Sequence, residues 1–247
     1  MDFIISKYNI VKNSTIYIYI YMSFQDLVKK REEHLVHHLE FNKEEEYRFN
    51  LYDIVNWCKI ISKTKDKVSI LEIGTRRSKP NVPTHKKNFF NNIPNIDYTM
   101  SDYQDGIDVD VVCDLHKTEG VFNKKFDLII GFSVYEHLKY PQLISHNLMK
   151  LLNIGGRIYI DTHQTYPLHG YKYDYYRFSR EALKSIFSKK MNFKTITSYF
   201  SNNCVIIPHE NLNNWNNVAE SYLHVTYIGE KVDETPDEYI YDIDNEN

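Results

Sequence analysis

From Val68 onward the chain alternates short apolar runs with amphipathic stretches. "VSILEIG" (68–74), "IDYTMSD" (96–102), "DVDVVCDLH" (108–116), "KFDLIIGFS" (125–133) and "GGRIYIDTH" (155–163) read as five successive strands. Each is too short for a buried helix and is rich in Val, Ile or aromatic residues. Between the fourth and fifth lies "YPQLISHNLMKLLN" (140–153), with helical spacing and Gly155-Gly156 placed to end it. "SREALKSIFSKK" (179–190) is a second helix with Ser179 as N-cap, and "FKTITSYFS" and "ESYLHVTYIGEKV" close the pattern as two β-rich runs. Upstream, Leu27, Leu35 and Leu39, then Leu51, Ile54, Val55 and Ile60, recur at helical spacing on a charged background. The expected organisation is a dispensable or disordered extension (1–21), a helical segment (22–66), an α/β domain (67–232) and an acidic tail (233–247).

Strands alternating with helices predict a doubly wound, mostly parallel sheet with helices on both faces. Ligands of such sheets bind beyond the carboxyl ends of the strands. The residues at those ends are therefore informative: Glu72 and Gly74, then Asp102, then Asp114, then Phe132 and Ser133. One Asp after a strand is an ordinary turn or cap residue. Three acids in series along one sheet edge point to a binding crevice. The loop after the first strand, "LEIGTRRSKP", carries one Gly where a phosphate cradle needs several small residues. A dinucleotide cofactor is disfavoured on that ground.

Formal charge is −3 with acids and bases intermixed, so a protein that coats nucleic acid is not expected. Cys58, Cys113 and Cys204 form no C-x-x-C pair, which fits a reducing, cytoplasmic compartment without disulfides. The N-terminal "STIYIYIYM" is too short to span a bilayer and lacks the flanks of a signal peptide. His34, His37 and His38 read as solvated helix residues, since no carboxylate pattern accompanies them.

The chain resembles the class I S-adenosylmethionine-dependent methyltransferases over roughly Val68 to Lys231. The resemblance is carried by "ILEIGTRR", "YTMSDYQDGIDVDVVCDLHK", "FDLIIGFSVYEHLKYPQLISHNLMKLLNIGGRIYID" and "YPLHGYKYDYYRFSREALKSIF". The last of these, H-G-x-x-x-D-Y-x-R-F, looks like a subgroup of small family members. The resemblance implies a Rossmann-like seven-stranded sheet whose last strand is antiparallel, and S-adenosyl-L-methionine as cofactor. It places Glu72, Gly74 and Thr75 at the methionine end, Asp102 on the ribose hydroxyls, Asp114 and Leu115 at the adenine, and Phe132 and Ser133 beneath the sulfonium. An ionised carboxylate suits a ribose diol, because each hydroxyl can donate to one oxygen. The family's glycine-rich motif is reduced here to Glu72-Ile73-Gly74-Thr75-Arg76-Arg77, and "SKPNVPTHKKNFFNNIPN" lengthens the path to Asp102.

Methyl transfer to a hydroxyl needs in-line positioning and a base near neutrality, for which His137, His163 and His169 are candidates. Tyr171, Asp174 and Arg177 are candidate substrate residues, although Asp174 and Arg177 are also spaced to pair with each other. The acceptor expected is a small molecule or glycan. Two alternatives stay open: a methyltransferase-like scaffold without turnover, and a 2′-O-ribose RNA methyltransferase. One small-RNA family of the latter kind holds a divalent ion with E-x-x-E-H and a later His. Here Glu136 and His137 match, but Ser133 replaces the first acid. Losing a charged ligand is serious for a hard cation, so no metal is expected.

Overall fold

The structure, a computed structural model, describes residues 50–79, 81–170, 172–206 and 219–242. The expectations for 1–21, for 22–49 and for 243–247 lie outside the described residues. Seven strands form one sheet: β1 (Val68–Ile73), β2 (Ile96–Asp102), β3 (Val111–Val112), β4 (Phe126–Phe132), β5 (Leu152–His163), β6 (Phe193–Ile206) and β7 (Ala219–Lys231). Their order is β3-β2-β1-β4-β5-β7-β6. β1 to β5 pair in parallel, while β7 runs antiparallel to both β5 and β6. This is the Rossmann-like, doubly wound architecture expected from the alternation of elements, with its antiparallel final strand.

Three α-helices are described: α1 (Leu51–Ile61), α2 (Pro141–Leu151) and α3 (Arg180–Ile186). α1 begins at a capping box, in which Asn50 and Asp53 each bond the other's backbone N–H end. Ser179 caps α3 by accepting from Ala182 N–H, as its position predicts. The helices divide between two apolar layers. Ile54, Val55 and Cys58 of α1 join Phe90 and Ile93 on one face of the sheet. Ile144, Leu148 and Met149 of α2 join Leu183 and Ile186 of α3 on the other. β1 and β4 lie between these layers and are buried almost throughout, which explains their near-continuous apolar runs.

Three features depart from the expectations. The third strand shrinks to Val111–Val112, because turns at Ile107–Asp108 before it and Leu115–His116 after it cut it short. Gly155-Gly156 does not end α2, which stops at Leu151. Both glycines lie inside β5, where the register with β4 shifts between Phe126 and Leu128. A Cβ on Gly156 would meet Asn153 O at 2.8 Å, so glycine is needed there for close backbone packing. Finally, β1 and β2 are joined by an irregular stretch holding a single 3-10 turn, Lys87–Phe90. The fully buried Phe90 does the covering that a helix would do, at about 1.5–3 kcal/mol for such a ring.

At the end of the sheet where β1 and β4 begin, Asp127 is 3% exposed and has all its bonds made. It accepts from Lys65 Nζ at 2.5 Å, Asn153 Nδ2 at 2.8 Å and Ser69 N–H at 3.0 Å. The carboxylate thereby ties the exit of α1 to the starts of β1 and β5. Asp127→Ala leaves the Ser69 and Asn153 donors without partners. Urea unfolding should show a loss of about 2–3 kcal/mol with little change in slope.

Candidate functional site

β1 is flanked by β2 on one side and β4 on the other, so the chain leaves the sheet in opposite directions around it. A cavity of about 870 Å³ opens at the carboxyl ends of these strands. Gly74, Asp102, Asp114, Leu115, Ser133 and His137, all singled out from sequence, line it.

Gly74 follows β1 with φ +74°, a conformation that L side chains rarely adopt. A Cβ there would also lie 2.2 Å from Val134 Cγ2. Its N–H donates to Ser101 O at 2.8 Å, which locks the turn to β2. One glycine therefore serves both the turn and the close approach. Asp102, at the end of β2, accepts from Arg76 N–H and Gln104 N–H, each at 3.1 Å. These two bonds aim the carboxylate and leave lone pairs for a ligand. Asp114 accepts from His116 N–H at 3.0 Å and lies 2.7 Å from His116 Nδ1. The backbone N–H first, then the ring, hold its carboxyl below the usual range. Leu115 and Ile144 supply an apolar wall beside it.

Three other candidates sit elsewhere. Glu72 is 2% exposed and does not line the cavity. Both its oxygens accept from Lys86 N–H at 2.9 Å, and Oε2 accepts from the Tyr98 hydroxyl at 2.7 Å. It closes the long β1–β2 connection onto the sheet. Burial pushes its carboxyl up to about 7, against the pull of Tyr98 and Lys86. Thr75 is likewise buried, its hydroxyl donating to Asp108 O at 2.6 Å. Phe132 packs on Tyr159 with ring centroids 5.2 Å apart, outside the cavity lining. Arg77 pairs with Asp108 through two bonds of 2.7 and 3.1 Å, whereas Arg76 lines the cavity.

Ser133, directly after β4, has φ +51° and is held by its N–H on Asp161 O at 2.8 Å. The chain then makes a 3-10 turn, Tyr135–His137, that buries Glu136 completely. Glu136 Oε2 accepts from the Thr162 hydroxyl at 2.6 Å. Its backbone carbonyl accepts from Tyr175 and Tyr176 N–H at 2.8 and 3.1 Å, drawing the loop after β5 over the turn. Burial opposes ionisation of Glu136, but the His163 ring and the Thr162 hydroxyl outweigh it and keep the carboxyl below its ordinary range.

All three candidate histidines gather at Glu136 Oε1: His163 Nδ1 at 3.0 Å, His137 Nε2 at 3.7 Å and His169 Nε2 at 3.9 Å. Of these, His137 lines the cavity. Its Nδ1 donates to Tyr173 O at 2.8 Å, since a carbonyl can only accept, so Nε2 of the neutral ring carries a lone pair. Gly170, with φ +61°, passes over this ring, and a Cβ there would lie 3.0 Å from His137 Cε1. Asp174 and Arg177 pair with each other through bonds of 2.6 and 2.9 Å, and neither lines the cavity. Asp174 also accepts from His169 N–H at 2.9 Å, and Arg177 donates to the Tyr166 and Pro167 carbonyls. Arg177 first of all holds the Asp174 carboxyl well below the usual range. The pair shapes the loop that carries His169. Tyr171 lies outside the described residues, while Tyr173 and Tyr175 line the cavity.

Sequence reading missed Tyr103, Gln104, Val134, Lys139 and Ile144 as lining residues. Tyr103, Gln104 and Val134 directly follow a strand-end residue already chosen, so extending each strand end by two positions would have found them.

No protein-family model matches the chain, and no curated protein matches it. Among solved structures the chain is similar to TehB from Haemophilus influenzae, at 16% identity over 77% of this chain and 65% of that one, with a TM-score of 0.47. It is also similar to a putative methyltransferase from Bacillus halodurans, at 10% identity over 72% of this chain and 98% of that one, with a TM-score of 0.48. A third is the Burkholderia thailandensis 1,6-didemethyltoxoflavin-N1-methyltransferase, at 12% identity over 90% and 94% of the two chains and a TM-score of 0.47. These likenesses are distant, and the fold rests on the chain's own strand order.

Gly74→Ala should destabilise by about 2–4 kcal/mol, combining a strained left-handed residue with overpacking on Val134. Adding Val134→Ala should restore only the packing part, which thermal unfolding of the single and double variants would separate. For Glu72, the folded-state carboxyl titrates near 7 against an ordinary 4.5, so its stabilising effect is full below pH 4.5 and lost as pH rises through 7. Relative to Glu72→Gln, wild type should gain on the order of 3 kcal/mol in urea unfolding on going from pH 7.5 to pH 4.5.

Proposed function

We propose that this protein is an S-adenosylmethionine-dependent methyltransferase acting on a hydroxyl of a small molecule or sugar. The observation that carries the reading is the cavity at the carboxyl ends of β1, β2 and β4. Gly74 gives close backbone approach there, and Asp102 and Asp114 stand at two successive strand ends. A nucleoside fits this arrangement, with its ribose diol on the lone pairs left on Asp102 and its base between Asp114 and the Leu115–Ile144 wall. No phosphate has to be neutralised, so a single glycine suffices.

Held at Gly74, Asp102 and Asp114, S-adenosylmethionine would supply an electrophilic sulfonium methyl group for the acceptor oxygen. His137 supports this chemistry, since its free Nε2 can take the hydroxyl proton while the Tyr173 carbonyl holds the ring. Tyr173 and Tyr175 at the rim offer stacking surface for a ring-bearing acceptor.

Isothermal titration with S-adenosylmethionine and S-adenosylhomocysteine tests the reading. Both should bind wild type, and Asp102→Ala should weaken them at least about 100-fold, as expected for losing two charge-assisted hydrogen bonds. Absence of binding at high micromolar ligand would refute the reading. Binding without homocysteine release over a panel of glycan and phenolic acceptors would point to a scaffold.

A further inference from the structure

The carboxylate of Glu136 is fully buried, and its Oε1 has no hydrogen-bond partner. The atom nearest to it among the ring nitrogens, His163 Nδ1, is also buried and also lacks one. The two lie 3.0 Å apart, yet without the alignment of a hydrogen bond. Two ligands of one ion have this same spacing. A buried carboxylate oxygen left without an aligned hydrogen bond is costly.

The surroundings repeat the pattern. His169 Nδ1 lies 3.1 Å from the Pro167 carbonyl, to which it must donate, so Nε2 keeps a lone pair directed to the side of Glu136. Ligating imidazoles are commonly fixed in this way, with the second nitrogen on a carbonyl. His163 Nε2 stands 3.5 Å from the Ser133 hydroxyl, and the Tyr166 ring stacks on its face at 4.1 Å. Thr162 takes the other oxygen of Glu136 and leaves Oε1 as a single, oriented donor. One ligand atom from each of Glu136, His163 and His169 falls within a 4.8 Å span.

We propose that Glu136, His163 and His169 form a binding site for a divalent transition-metal ion beside the cavity. Bond lengths of about 2.0–2.2 Å put two ligands of one ion roughly 3–3.5 Å apart. The Glu136–His163 pair already meets that spacing, and His169, on the loop after β5, would have to close from a span of up to 4.8 Å. Two imidazoles and one carboxylate favour borderline ions such as Zn²⁺, Fe²⁺ or Co²⁺ over Mg²⁺. The absence of an acid at Ser133 argues against a hard cation and does not weigh against these. Ser133, His137 and Gly170 line the cavity next to the cluster, so an open coordination position would face a hydroxyl-bearing acceptor. That last role rests on the methyl-transfer reading, whereas binding of the ion does not.

The test uses the full chain, free of any affinity tag and stripped with chelator, titrated with Co²⁺. Wild type should bind one equivalent with visible d–d absorption. His163→Ala and Glu136→Gln should each weaken this at least tenfold while retaining wild-type circular dichroism. If Glu136→Gln does not fold, His169→Gln on the half-buried loop replaces it, with the same expected loss. Asp102→Ala should bind Co²⁺ like wild type while losing S-adenosylhomocysteine, so the two readings fail separately. Absence of Co²⁺ binding by wild type overturns the proposal. So does a titration unchanged in His163→Ala and His169→Gln, which would place the ion elsewhere, for example on His34, His37 and His38.

Discussion

The site depends on burying one carboxylate. Glu136 sits at zero exposure just after β4, where an isolated charge would be expelled or neutralised. Each of its groups binds a different part of the chain. The carbonyl takes two N–H groups of the loop after β5, Oε2 takes the Thr162 hydroxyl on β5, and Oε1 confronts three imidazoles. The 3-10 turn, the end of β5 and the overhanging loop are therefore positioned together. Asp174 and Arg177 complete the arrangement by shaping the loop from its other side.

The cavity lining at β1 and β2 follows a different rule, that of backbone approach. Gly74 turns the chain in a left-handed conformation against Val134, and Asp102 is aimed by two backbone N–H groups. The loop after β1 is poor in glycine because one position does the work of several. Arg77 and Thr75 are engaged with Asp108, and this stiffens the loop without small residues. Gly74, Asp102 and His137 thus line one cavity, while Glu136 and His163 lie outside its lining.

Acidic residues in the two halves of the molecule show how context divides one residue type into several roles. Asp127 is buried but has a lysine, an amide and a backbone N–H, and it acts as a structural tie. Glu72 is buried with one hydroxyl and one backbone N–H, and burial prevails, raising its carboxyl toward neutrality. Glu136 is buried among imidazoles and is held below its ordinary range. Asp102 and Asp114 remain at the cavity, with lone pairs to spare.

The period of the apolar residues was enough to determine the strands, the helices flanking them and the crevice at their carboxyl ends. Asp102, Asp114, Gly74 and Ser133 were legible because residues directly after a strand must lie at one edge of the sheet. Glu72 was misplaced by the same reasoning. Strand alternation decides which face a residue occupies, and sequence does not say what covers that face; here Lys86 and Tyr98 do. Gly155-Gly156 read as a helix end because glycine serves a bulge and a cap equally well. Tertiary structure alone decided that His137, His163 and His169 meet at one carboxylate oxygen. They come from three separate segments, and their meeting depends on how the loop after β5 folds back. Convergence of that kind is set by packing and hydrogen bonding across the sheet edge, which leaves no period in the sequence.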